Sequence, residues 1–136
     1  MTIEEIKQKA KACGGCELID KVETWQDAAD LLFSPQGQEF FQKTGYPDSK
    51  AINSIGKEVD GFYNRKSLRL GNPPNLCISG AGYHSLAYDG VPEEVPIIML
   101  LNANAFVKLD NYAIVKIVKY GECEVTFGGD GTGIVL

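Results

Sequence analysis

The sequence predicts a small soluble α+β protein, with helices over residues 1–60 and a repetitive β part over residues 61–136, packed as one compact unit. Three observations predict it. Apolar residues recur at helical spacing as far as Gly61, the period then drops to two between turn formers, and four segments near the C-terminus superimpose on one another. A chain of 136 residues builds one core and is short for two independent domains.

The first helix is read from Thr2 and Glu5, which have capping-box spacing, and from Ile3, Ile6, Ala10 and Cys13 along one face. Gly14-Gly15 breaks it. A second helix starts at Thr24 with Asp27 in its first turn, and buries Trp25, Ala28, Ala29 and Leu32. Ser34-Pro35 ends that helix and begins a third, because Ser caps well and Pro suits the first helical position. Phe40 and Phe41 anchor it, and Gly45 supplies the left-handed cap. Asp48 opens a weaker fourth helix through Ala51, Ile52 and Ile55.

The β part is read from its repeats: Ala105-Phe-Val107-Lys-Leu109, Ala113-Ile-Val115-Lys-Ile117, Cys123-Glu-Val125-Thr-Phe127 and Thr132-Gly-Ile134-Val-Leu136. Each runs small, medium, large on one face, and Ile97, Met99 and Leu101 form an earlier approximate copy. The starts lie eight, ten and nine residues apart, separated by turn formers such as Asp110-Asn111, Gly121 and Gly128-Gly129. Alternation along a strand puts the triplets on a buried face and Lys108, Lys116, Glu124 and Thr126 on a solvated one. Two architectures satisfy this pattern. One is an antiparallel meander; the other is a short β-roll, or solenoid, whose coils of eighteen residues stack in parallel. The second is preferred, since parallel stacking keeps like over like: Ala105 over Cys123, Val107 over Val125, Leu109 over Phe127. Asn72-Pro-Pro-Asn75 is read as a rigid connector between the halves.

The stretch Thr24-Trp-Gln-Asp-Ala-Ala-Asp-Leu-Leu-Phe-Ser-Pro-Gln-Gly-Gln-Glu-Phe, with Asn111-Tyr-Ala-Ile-Val and Gly121-Glu-Cys-Glu-Val downstream, resembles a family of small uncharacterised proteins from gut anaerobic bacteria. The resemblance covers most of the chain. It implies the same helical beginning and repetitive β end, and implies no activity and no catalytic residues.

Composition narrows the function classes. The net charge is -5, and residues 72–136 carry three Lys/Arg against seven Asp/Glu, so the β part is the acidic one. The single basic group, Arg65, Lys66 and Arg69, has Glu58 and Asp60 nearby, which argues against a phosphate-backbone partner. No run reaches the roughly 20 apolar residues of a membrane span, and the opening residues lack a signal-peptide pattern, so the expected location is the cytoplasm.

Cys13-Gly-Gly-Cys16 is the one motif with chemical potential, for a short disulfide or half a zinc site. It follows a helix rather than a strand, and Cys77, Cys123 and His84 have no second paired spacing, so buried small residues at a helix end are the preferred reading. Cys123 is assigned to the core by its small-residue position in the repeat. Gly128-Gly-Asp-Gly-Thr-Gly resembles a glycine-rich calcium repeat, but Gly133 stands where the ligand Asp belongs and there is one copy, so a plain turn is preferred. His84, Ser85 and Asp89 do not form a triad by being neighbours; His84 is expected at the surface or a sheet edge, where it could contact a ligand together with Tyr83 and Tyr88. The leading expectation is therefore a non-enzymatic structural or protein-interaction module without a cofactor. Its last strand, Ile134-Val135-Leu136, should be covered by the N-terminal helices or by a second copy in a homo-oligomer. The alternative is a thiol redox or metal-binding protein using Cys13 and Cys16. A third reading, an acidic protein that neutralises a basic partner, rests on charge alone.

Overall fold

A computed structural model describes residues 1–136: four α-helices are followed by a parallel β-solenoid of about four turns. The helices are α1 (Ile3–Ala12), α2 (Trp25–Phe33), α3 (Pro35–Thr44) and α4 (Ser49–Gly56), with a 3₁₀ turn, Glu17–Lys21, between the first two. Each begins where the local chemistry demands. Thr2 and Thr24 accept the N–H groups of Glu5 and Asp27 in reciprocal capping boxes, Ser34 accepts that of Gly37, and Asp48 that of Ala51. Such a cap contributes about 1 kcal/mol. Gly45, at φ 70°, closes α3 in the left-handed region. No helix is long and apolar enough to cross a membrane.

The strands are β1 (Phe62–Asn64), β2 (Ser67–Gly71), β3 (Leu76–Ser79), β4 (Tyr83–Asp89), β5 (Ile97–Leu101), β6 (Asn104–Asp110), β7 (Ile114–Tyr120), β8 (Val125–Gly129) and β9 (Thr132–Val135). Odd-numbered strands form one sheet in the order β1-β3-β5-β7-β9, and even-numbered strands form a second in the order β2-β4-β6-β8. Every pairing is parallel, so the solenoid is the arrangement adopted and the meander is not. Asn72-Pro-Pro-Asn75 does not connect the halves. It turns the corner from β2 to β3, because β1 and β2 already belong to the first coil.

Two cores hold the molecule. Between the sheets, Leu76, Ile78, Ile98 and Leu100 meet Leu86, Val107 and Leu109. Outside the odd-numbered sheet, Cys77, Met99 and Val118 meet Phe41, Ile52 and Ile55 of the helices. This corrects the earlier copy of the triplet: Ile97-Ile98-Met99-Leu100-Leu101 does not alternate because the strand is covered on both faces. Burying each of these large side chains contributes about 1.5–3 kcal/mol. Lys116 likewise lies half-buried on the helix side, while Lys108 is exposed on the free face of the even-numbered sheet.

The register departs from the like-over-like scheme. Ala105 stacks on Val125 and Val107 on Phe127, so this coil spans twenty residues rather than eighteen and the inward face is kept. In the other sheet Val115 stacks on Gly133 and Lys116 on Ile134, a slip of one residue that turns Ile134 to the helix side and not to the solenoid interior. The Phe127 ring fills the interior space that Gly133 leaves, since a Cβ there would stand 2.2 Å from it.

Candidate functional site

The two ends of the solenoid are built differently. The Cys77 N–H donates to the Gly61 carbonyl and the Arg65 N–H to the Ser79 carbonyl, so that the Phe62 carbonyl faces away from β3. Gly56, at the end of α4, packs on that carbonyl so closely that a Cβ would come within 2.2 Å. The first coil's odd-numbered edge is thus closed by a helix. At the other end β8 and β9 each have one strand neighbour, and the helices do not reach across β9. Phe127 is 39% exposed, Ile134 46%, Val135 43% and Leu136 49%, together an aliphatic and aromatic base flanked by two unpaired strand edges. Of the two covers expected for Ile134-Val135-Leu136, the N-terminal helices do not supply one.

The cysteines fall into two classes. Cys13 and Cys16 are free and exposed, which corrects the assignment to buried small residues: the Gly14-Gly15 reversal carries both side chains off the helical layer instead of into it. Cys77 is fully buried, and burial pushes its thiol far up. Cys123 is half-buried with Sγ 3.5 Å from the Leu100 carbonyl, packed at the margin of the inter-sheet core. No group of three or more His, Cys, Asp or Glu stands close enough to hold a metal ion, so Cys13 and Cys16 lack the further ligands that zinc takes.

No family model, curated protein or solved structure matches this chain.

The family resemblance therefore adds nothing beyond the two-part layout that the fold itself displays. The remaining candidates resolve by geometry. His84 is completely buried between the sheets, stacked on Leu68 and Ala105, and not at an edge. Tyr88 is buried on the same face of β4, whereas Tyr83 is 54% exposed on the other. Ser85 points away from His84, and the Asp89 carboxylate accepts from Asn111 Nδ2 at 2.6 Å, so these residues do not converge. In Gly128-Gly-Asp-Gly, Asp130 Oδ1 accepts the Tyr112 N–H at 3.0 Å and secures a turn. The buried position of His84 was missed because a polar residue on an inward face carries no sequence mark except its alternation with Leu86 and Tyr88.

An apolar cleft of about 80 Å³ lies beneath α1, lined by Ile6, Ala10, Ile19, Leu32 and Phe40. A wider one of about 260 Å³ adjoins it and has Cys16, Glu39 and Lys43 on its walls. Glu39 and Lys43 pair at 2.9 Å, one helical turn apart on α3.

Proposed function

We propose that this chain is a non-enzymatic interaction module that assembles through the open last coil, and that the occupant is a second copy of the chain. The observation that carries this reading is the exposed base formed by Phe127, Ile134, Val135 and Leu136 between two unpaired edges. Stacked sheets lie about 10 Å apart, so a partner must offer two strand edges at that separation to satisfy both. An identical last coil does so by construction. Gly56 and α4 close the odd-numbered edge of the first coil, which blocks head-to-tail stacking and favours a closed tail-to-tail pair about a two-fold axis. Such a pair brings β9 against the partner's β9 and buries the aliphatic base of both.

The test is the molar mass of residues 1–136 by light scattering over a concentration series. A dimer is expected, and Ile134→Lys with Val135→Lys should give a monomer with an unchanged circular dichroism spectrum. A native chain that stays monomeric up to millimolar concentration overturns the reading. Thiol chemistry at Cys13 and Cys16 is favoured separately by their exposure.

A further inference from the structure

Cys13 and Cys16 sit on one turn that the backbone holds in place. Cys13 ends α1, Gly14 takes φ 95°, and the Gly14 and Gly15 N–H groups donate to the Lys11 and Ala10 carbonyls, each at 2.9 Å. Gly15 approaches α1 too closely for any side chain, since a Cβ would stand 2.8 Å from the Ala10 carbonyl oxygen. Nothing lies within 4 Å of the space beside Gly14. The two thiols therefore flank a short, fixed reversal, open to solvent on the side where a reagent arrives. Neither of the other two thiols competes, because Cys77 is enclosed and Cys123 is packed against the Leu100 and Tyr120 carbonyls.

The same turn joins two elements whose other links are few. Lys7 Nζ donates to the Val22 carbonyl at 2.7 Å, Lys11 pairs with Asp20, and Ile6 and Ala10 share a core with Ile19. Cys16 also stands on the wall of the cleft of about 260 Å³. A covalent bond across the turn would fasten α1 to the 3₁₀ turn at the rim of that cleft. Cys13 lies at the C-terminal end of α1, whereas catalytic dithiols sit at a helix N-terminus, so this geometry suits a bond that is made and kept rather than one turned over.

We propose that Cys13 and Cys16 are a redox clasp: they close an intramolecular disulfide with a low-molecular-weight disulfide as oxidant, and the bond locks α1 onto the 3₁₀ turn. One cysteine thiolate attacks a sulfur of the oxidant, forming a mixed disulfide and releasing one thiol. The second cysteine attacks the protein sulfur of that mixed disulfide, the Cys13–Cys16 bond forms, and the second thiol departs. The protein loses two electrons and two protons, which the oxidant's two sulfurs take up. The clasp is independent of the assembly reading, for it lies on the helical layer and not on the last coil.

The experiment incubates residues 1–136 in glutathione buffers of graded oxidation, followed by intact mass, peptide mapping and amide exchange. The expected product is a monomolecular species lighter by about 2 Da, with the bond mapped to Cys13–Cys16 and exchange over residues 3–21 slowed several-fold. Cys16→Ser should stop at one glutathione adduct on Cys13 and show no slowing. Stable adducts on both cysteines, a bond between two molecules, or an intramolecular bond that leaves exchange unchanged would each overturn the proposal.

Discussion

The Oδ1 atom of Asn102 accepts the backbone N–H of Glu122 at 2.9 Å, tying the corner of one coil to the corner of the next. Asn104 does the same for Glu124, Asn75 for Ile97 and Asn72 for Asp89, each at 2.9 Å. Corners lack the ladder bonds of the strands, so these side chains satisfy donors that would otherwise go unpaired. Removing the acceptor by Asn102→Ala should cost about 1–2 kcal/mol in urea unfolding. Because Asn102 sits at φ 47°, Asn102→Gly keeps the backbone conformation and should lose only the hydrogen-bond share. Equal losses in the two variants would show that backbone strain plays no part.

These corners also explain where the sequence was legible. The helices were readable from Thr2, Thr24, Ser34 and Asp48, each of which caps the helix it precedes. Parallel coils were readable from the repeated triplets. The register was not, because it depends on how many residues each corner uses: Ala105 reaches Val125 and not Cys123 once Asn102 and Asn104 have engaged Glu122 and Glu124. The exposure of Cys13 escaped the helical pattern for a similar reason. Its periodic position continues the Ile6 and Ala10 face, but the helix ends at Ala12 and the stripe ends with it.

His84 makes the stability depend on pH. Burial disfavours its charged form and lowers its pKa, outweighing the opposite influence of a Gly80 backbone group that does not reach hydrogen-bond geometry. Neither ring nitrogen has a partner. Below the ordinary imidazole value near 6.5, the unfolded chain binds a proton that the folded chain refuses. His84 therefore has its full stabilising effect above that value, and stability falls as pH drops from it toward the folded-state pKa, at up to about 1.4 kcal/mol per pH unit. Urea unfolding between pH 7.5 and 5 should follow this slope, and His84→Leu should flatten it. Asp20 beside Lys11, Asp27 under the Glu23 and Thr24 N–H groups, and Glu39 beside Lys43 are also held low, and their losses come at more acidic pH.

Two glycines should respond to very different degrees. A Cβ at Gly82 would fall 1.4 Å from the Lys66 carbonyl oxygen, where one coil rests on the backbone of the coil before it. Gly82→Ala should therefore cost more than about 3 kcal/mol or abolish folding. A Cβ at Gly71 would meet nothing within 4 Å, so Gly71→Ala should change stability by less than about 1 kcal/mol. Similar effects at both positions would contradict the stacking described above.

Salt should strengthen the tail-to-tail pair. Residues 120–136 contain Glu122, Glu124 and Asp130 and no Lys or Arg, so two last coils meet with like charge. Screening at 0.5 M sodium chloride should lower the dissociation constant relative to 0.05 M. A dissociation constant that rises with salt would point instead to a partner held by opposite charge.

The closed first edge and the uniform parallel stacking together make the molecule a ruler. The separation between the end of α4 that closes β1 and the exposed base at β9 is fixed by how many coils intervene, each adding about 4.8 Å. Duplicating a whole coil would move the base outward by one such step and leave the free face of the even-numbered sheet pointing as before. Reach and orientation are thus set by separate features of the chain, the first by coil number and the second by the corners.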